Sequence, residues 1–108
     1  MRALTREQRM IIESETTGLV RVFSDIPSDL LQVLNMDLIK VQHIRAEDER
    51  DASLYVYESS SGRKIVRLTV QNHTNAAGRN ISVTTFASRE MLPLIETNLR
   101  LNVNNKKH

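Results

Sequence analysis

The chain has 108 residues, of which 40% are hydrophobic and 26% are charged, a composition typical of one folded globular domain. The absence of cysteine excludes disulfides, thiol catalysis and cysteine zinc sites. The net charge is only +2. No uninterrupted apolar run is longer than four residues, so the sequence predicts neither a transmembrane helix nor a signal-peptide core. We therefore predict a cytoplasmic protein with a single domain over residues 1–101 and a disordered tail at 102–108.

The N-terminal third of the chain is predicted to be mainly helical. Over residues 4–24, Thr5 is a suitable N-cap and apolar residues recur at helical spacing. Gly18 weakens this helix and allows a short extended piece at its end. The apolar stretch that follows Ser28 predicts a second, short and largely buried helix. Residues 36–45 are compatible with either a strand or a helix, and the alternation of their side chains favours a strand.

A β-hairpin is the clearest prediction from the sequence. Residues 53–58 and 64–71 are rich in β-branched and aromatic side chains and flank a Ser/Gly turn. A polar loop at 72–79 should lead to a strand at 80–86, and Ser88 should cap a terminal helix. This order of elements (helix, helix, four strands, helix) predicts an α+β fold of two layers. In it, an antiparallel sheet of three or four strands carries its helices on one face.

Alternation along the predicted strands assigns their side chains to two faces of the sheet. One face should hold three of the four aromatic residues of the chain and remain open to a partner. The candidate partner-binding residues on this open face are Tyr55, Tyr57, Ile65, Arg67 and Phe86. The other face should form a single core with the terminal helix. The residues predicted for this core are Val66, Leu68, Val70, Ile81, Val83, Leu92, Ile95 and Leu99.

Basic residues are concentrated in the second half of the chain. Residues 59–108 carry eight basic and two acidic side chains, whereas residues 1–58 carry seven basic and eleven acidic ones. Such asymmetry indicates either that the two halves neutralise each other or that one of them faces an anionic partner. The candidate nucleic-acid contacts are Arg63, Lys64 and Arg79, and Arg79 is expected to return to the same sheet edge as the other two.

The sequence lacks the residue patterns of common catalytic and metal sites. Its three histidines do not have ligand spacing, its glycines are isolated, and no serine lies in a nucleophile elbow. We therefore predict no cofactor, no metal and no membrane contact. The favoured function is a non-enzymatic module that binds itself or a protein partner through the face or edge of its sheet. The alternatives are a nucleic-acid-binding protein and, less favoured, a small metal-independent ribonuclease of the toxin type.

Overall fold

The computed structural model of the chain describes residues 4–45, 51–75 and 78–105, and at 72–75, 78–80 and 101–105 it describes the backbone alone. The helices within these ranges are α1 (Arg6–Thr16), α2 (Ser28–Val33) and α3 (Leu92–Asn105), and a 3-10 turn (Arg89–Met91) precedes α3. The strands are β1 (Leu19–Val22), β2 (Asp37–Ile44), β3 (Ala52–Glu58), β4 (Lys64–Asn75) and β5 (Gly78–Ser88). They form one antiparallel sheet in the order β1-β5-β4-β3-β2.

The α+β class predicted from the sequence is confirmed, but the sheet has five strands instead of three or four. The additional strand is β1, which corresponds to the short extended piece that the sequence allows after Gly18 in the otherwise helical segment 4–24. Gly18 explains the break, because its φ of 80° lies in the left-handed region that glycine adopts without strain. β1 then pairs with the end of β5, with Leu19 opposite Ser88, a contact between residues far apart in the chain.

The hairpin formed by β3 and β4 agrees with the prediction. Its turn closes where the Gly62 N–H donates to the Ser59 carbonyl over 2.9 Å. The polar loop predicted at 72–79 is wrong, since β4 continues to Asn75 and β5 begins at Gly78. A pair of strands is held together by main-chain hydrogen bonds, which do not require apolar side chains. The pairing of β4 with β5 therefore continues through this polar segment.

Ser88 precedes the C-terminal helical segment at the position expected of a cap, but its hydroxyl does not cap the helix. It accepts a hydrogen bond from the Lys64 N–H over 3.2 Å instead of binding the helix main chain. Pro93 falls in the first turn of α3, where its missing N–H leaves no helical bond unmade. Because α3 continues to Asn105, the first four residues of the predicted tail are helical, and residues 106–108 lie outside the described ranges.

Helices cover both faces of the sheet, which corrects the prediction that they pack on one face. On one side, the α1 face, Ile12 of α1 packs against aliphatic residues of β3 and β4. On the other side, the α2–α3 face, α2, the 3-10 turn and α3 pack around Ile65 and Ala87. At this end of the sheet the strands are apolar on both sides, so alternation alone did not reveal a second buried face. The main strand residues of the α1 face are Ala52, Leu54, Val56, Val66, Leu68 and Val70.

Strand β5 presents its two faces in the opposite sense to the prediction. The register places Phe86 beside Val66, so Phe86 lies on the α1 face. Ile81 and Val83 lie on the α2–α3 face, where both are exposed instead of buried in the core. Ile95, predicted to share a core with Val66, is buried on the opposite face from it. Alternation along β5 defines two sets of side chains, but only its pairing with β4 decides which set points inward.

Candidate protein-binding surface

The five predicted partner-binding residues do not share one open face. Ile65 is buried beneath the helices of the α2–α3 face, and Tyr57 packs against the same cluster. Phe86 packs on the α1 face. Arg67 is on the α2–α3 face but is held by the chain's own loop, as described next. Tyr55 alone of the five combines partial exposure with a position on the exposed part of the sheet.

Arg67 fastens the connection between β1 and α2 onto the sheet. Its Nη2 donates a hydrogen bond to the Ile26 carbonyl and lies 3.6 Å from Oδ1 of Asp25. The same Asp25 oxygen accepts the Ile26 N–H over 2.8 Å. The Arg67 side chain is only 18% exposed, and its Nε is buried without a partner among the described residues. This guanidinium is therefore committed to the fold and is not presented to a ligand.

Part of the α2–α3 face remains exposed and forms the surface that we call the open sheet patch. Its residues come from three strands, β2, β3 and β5. The strand register places Val41 opposite Tyr55, and it places Thr69 of the intervening strand β4 opposite Val83. Adjacent strands lie about 4.8 Å apart, so the patch extends about 14 Å from β2 to β5. Its aliphatic members are between 40% and 63% exposed. The open sheet patch consists of Leu38, Val41, Tyr55, Ile81 and Val83.

Strand β2 adds a free edge to the open sheet patch. β2 is the last strand of the sheet, so its outer main-chain groups have no strand partner within the described residues. A register shift between Leu38 and Lys40 marks an irregularity at Ile39, which is as exposed as its neighbour Leu38. The Lys40 ammonium lies 2.8 Å from the Glu15 carboxylate of α1, so this cation is already paired. The edge therefore offers mainly aliphatic side chains and main-chain hydrogen-bonding groups.

His43 and Ser53 form the polar end of this surface. They are opposite each other on β2 and β3, and His43 Nδ1 is 2.9 Å from the Ser53 hydroxyl. The pair is exposed, and the next residues along the same row are Thr69 and Val83. This row supplies hydrogen-bonding groups beside the aliphatic side chains, an arrangement found at the rim of protein interfaces.

The three candidate nucleic-acid contacts lie at opposite ends of the β4–β5 hairpin. Lys64 is the first residue of β4, and Arg63 precedes it with its Nε 3.9 Å from the Glu90 carboxylate. Arg79 is opposite His73, nine residues further along β4. At about 3.3 Å per residue this separation is about 30 Å, so the expectation that Arg79 returns to the same edge is wrong.

The sequence of β2 contains a pattern that strict alternation does not explain. Leu38 and Ile39 are consecutive aliphatic residues in a strand, and one of them must face outward whichever side is buried. Val41 follows two residues later, so three aliphatic side chains fall within four positions. Their exposure follows from the place of β2 at the edge of the sheet, which the local sequence does not specify.

Comparison with known proteins does not assign a function to this surface. No protein-family model matches the chain, and no curated protein or solved structure matches it. Among the described residues, no helix has the length and apolar character needed to cross a membrane. Within the same ranges, no group of three or more His, Cys, Asp or Glu residues is arranged to hold a metal ion. Function is therefore argued from the open sheet patch itself.

Proposed function

We propose that the protein is a small non-enzymatic interaction module that binds a protein partner through the open sheet patch and the adjoining edge of β2. The observation that carries this proposal is the exposure of Leu38, Ile39 and Val41 on a strand whose outer edge is free. The class of function is the one predicted from the sequence. The site is different, because Tyr55 is the single residue that the open sheet patch shares with the predicted set.

Two physical contributions favour a protein partner at this surface. An extended segment added to β2 would satisfy its outer main-chain groups, which provides affinity without dependence on side-chain identity. Burial of the aliphatic residues would add a hydrophobic contribution of about 25 cal/mol for each Å² removed from water. Tyr55 of β3 lies between the aliphatic residues of β2 and those of β5. It supplies an aromatic anchor with a hydroxyl group, the kind of residue that dominates interface energies.

A pair of matched valine substitutions tests the proposal. Val41→Lys places a charge within the open sheet patch, whereas Val33→Lys places the same charge on α2, where Val33 is 63% exposed. We expect quantitative affinity capture to recover a set of proteins with the wild type and with Val33→Lys. Recovery should fall at least tenfold with Val41→Lys, because a buried lysine without a partner opposes docking. Equal recovery with both variants, or no recovery with the wild type, would reject the proposal.

A titration with a short single-stranded oligonucleotide separates this proposal from the nucleic-acid alternative. Fluorescence anisotropy at low salt should detect no binding by the wild type. Binding that weakens steeply with salt, survives Val41→Lys and decreases with Arg63→Gln would replace the proposal with phosphate recognition. Cleavage of the oligonucleotide during the titration would instead support the alternative in which the protein is a small ribonuclease.

A further inference from the structure

Two buried side-chain atoms have no hydrogen-bond partner among the described residues, and they lie on neighbouring strands. They are Nε of Arg67 and the hydroxyl oxygen of Thr85. The register of β4 and β5 places these two residues directly opposite each other on the α2–α3 face. Buried polar groups in folded proteins are hydrogen-bonded in the great majority of cases, so two unpaired groups on opposed residues indicate a shared partner.

The surroundings of Thr85 separate its hydroxyl from bulk solvent. Thr85 is only 1% exposed. Two residues further along β5, Ala87 is buried in the cluster of the α2–α3 face. Across the sheet, Thr85 is opposite Val22 of β1, which packs against the same cluster. The Thr85 hydroxyl therefore needs a partner inside the protein.

The contacts of Arg67 hold the end of its side chain and leave Nε unpaired. Nη2 donates to the Ile26 carbonyl and lies 3.6 Å from Oδ1 of Asp25, in the connection between β1 and α2. Nε lies one bond nearer to the strand than the carbon that carries Nη2, and no hydrogen bond joins it to the Thr85 hydroxyl. The two groups are therefore neighbours that do not satisfy each other.

The chemistry of these groups selects the molecule that can join them. The Nε–H of an arginine only donates, so the shared partner must accept, whereas a threonine hydroxyl can donate or accept. The positive guanidinium opposes a metal cation, and the Asp25 carboxylate beside it opposes a second anion. A small neutral molecule that both donates and accepts fits the site. Water is such a molecule, and buried waters typically join polar groups that the chain leaves unpaired.

We propose that one water molecule is bound between Arg67 and Thr85, where it accepts the Nε–H of Arg67 and forms a hydrogen bond with the Thr85 hydroxyl. Through Arg67 this water links strand β5 to the Ile26 carbonyl, so that two strands and the connection before α2 share one polar network. The site uses no residue of the open sheet patch and is independent of the proposed function.

Oxygen-17 magnetic relaxation dispersion tests the proposal, because it counts the water molecules that remain bound while a protein tumbles. We expect Thr85→Val, which removes the hydroxyl at nearly constant volume, to hold one such water fewer than the wild type. Thr84→Val is the matched control and should keep the wild-type number, because Thr84 is opposite Leu68 on the α1 face. Equal dispersion for the wild type and Thr85→Val would overturn the proposal.

Nuclear magnetic resonance of the nitrogen-15-labelled protein tests the contact with Arg67. We expect a rotating-frame Overhauser cross-peak between the Arg67 Hε and water in the wild type and in Thr84→Val. This cross-peak should weaken at least fivefold in Thr85→Val, because the water loses one of its two partners. A protected Hε without a water cross-peak in the wild type would show that Nε bonds directly to the Thr85 hydroxyl, and would overturn the proposal.

Discussion

At the scale of single residues, Arg67 shows how an apparent surface charge becomes a structural group. The sequence places it on a strand among aliphatic and polar neighbours, which is equally compatible with an exposed binding residue. In the fold, the loop that contains Asp25 and Ile26 covers it, and its Nη2 donates to the Ile26 carbonyl. Ile26 is itself buried in the cluster of the α2–α3 face, so this bond secures part of the core.

We expect Arg67→Met to lower the free energy of unfolding by about 1–3 kcal/mol, because it leaves a carbonyl near the core without its charged donor. Arg63→Met is the matched control. Arg63 is more exposed, and its contact with Glu90 is long at 3.9 Å, so its replacement should change stability by less than about 0.5 kcal/mol. Urea denaturation measures both values. Equal midpoints for Arg67→Met and the wild type would contradict the role assigned to this residue.

At the scale of elements, the register between β4 and β5 decides which residues form the core. Val66 is beside Phe86 and Thr69 is beside Val83, so each face of β5 is matched to a face of β4. A shift of one residue would move every β5 side chain to the other face of the sheet. The exposure of Ile81 and Val83 and the packing of Phe86 are consequences of this one pairing.

Truncation of one residue on each face tests the register. Leu68→Ala should cost about 2–5 kcal/mol, because Leu68 is buried on the α1 face and its removal leaves a cavity. Ile81→Ala should cost less than about 0.5 kcal/mol, because Ile81 is exposed on the other face. Chemical denaturation of the two variants gives the comparison. A large loss for Ile81→Ala would mean that β5 presents its faces as the sequence alone predicted.

At the scale of the whole molecule, one sheet separates two hydrophobic clusters. Ile12 of α1 belongs to the first, and Ile95 of α3 belongs to the second. β4 contributes to both, since Val66 faces one cluster and Ile65 faces the other. Loss of either cluster therefore removes support from the same strand, and we expect the molecule to unfold in a single cooperative transition.

The two clusters should nevertheless contribute independently to stability. Ile12→Ala and Ile95→Ala should each lower the free energy of unfolding by about 2–5 kcal/mol, because both side chains are buried. In the double variant the two losses should add within about 0.5 kcal/mol, since the residues lie on opposite faces of the sheet and belong to different clusters. Calorimetry of the single and double variants measures the coupling. A coupling well above that value would show that the clusters act as one core.

The candidate surface was only partly predictable, and Tyr55 and Phe86 show why. Alternation placed Tyr55 opposite the aliphatic set of its own strand, and β3 does present it away from the α1 face. The same reasoning failed for Phe86, because its orientation depends on pairing with β4 across the second hairpin. Phe23 falls within the segment 4–24, which the sequence predicts to be mainly helical. The end of α1 at Thr16 makes it a residue beyond β1 instead.

By itself, the sequence determined the β3–β4 hairpin, helix α2 and the helix that follows Ser88, and it favoured a strand over a helix for β2. Each of these depends on turn residues, caps and polarity patterns that act over a few neighbouring positions. The tertiary structure alone decided the pairing of β1 with β5, the burial of Ile65 beneath two helices and the exposure of the β2 edge. These features depend on contacts between distant parts of the chain, and a short pattern of residues carries no information about which distant segment will cover it.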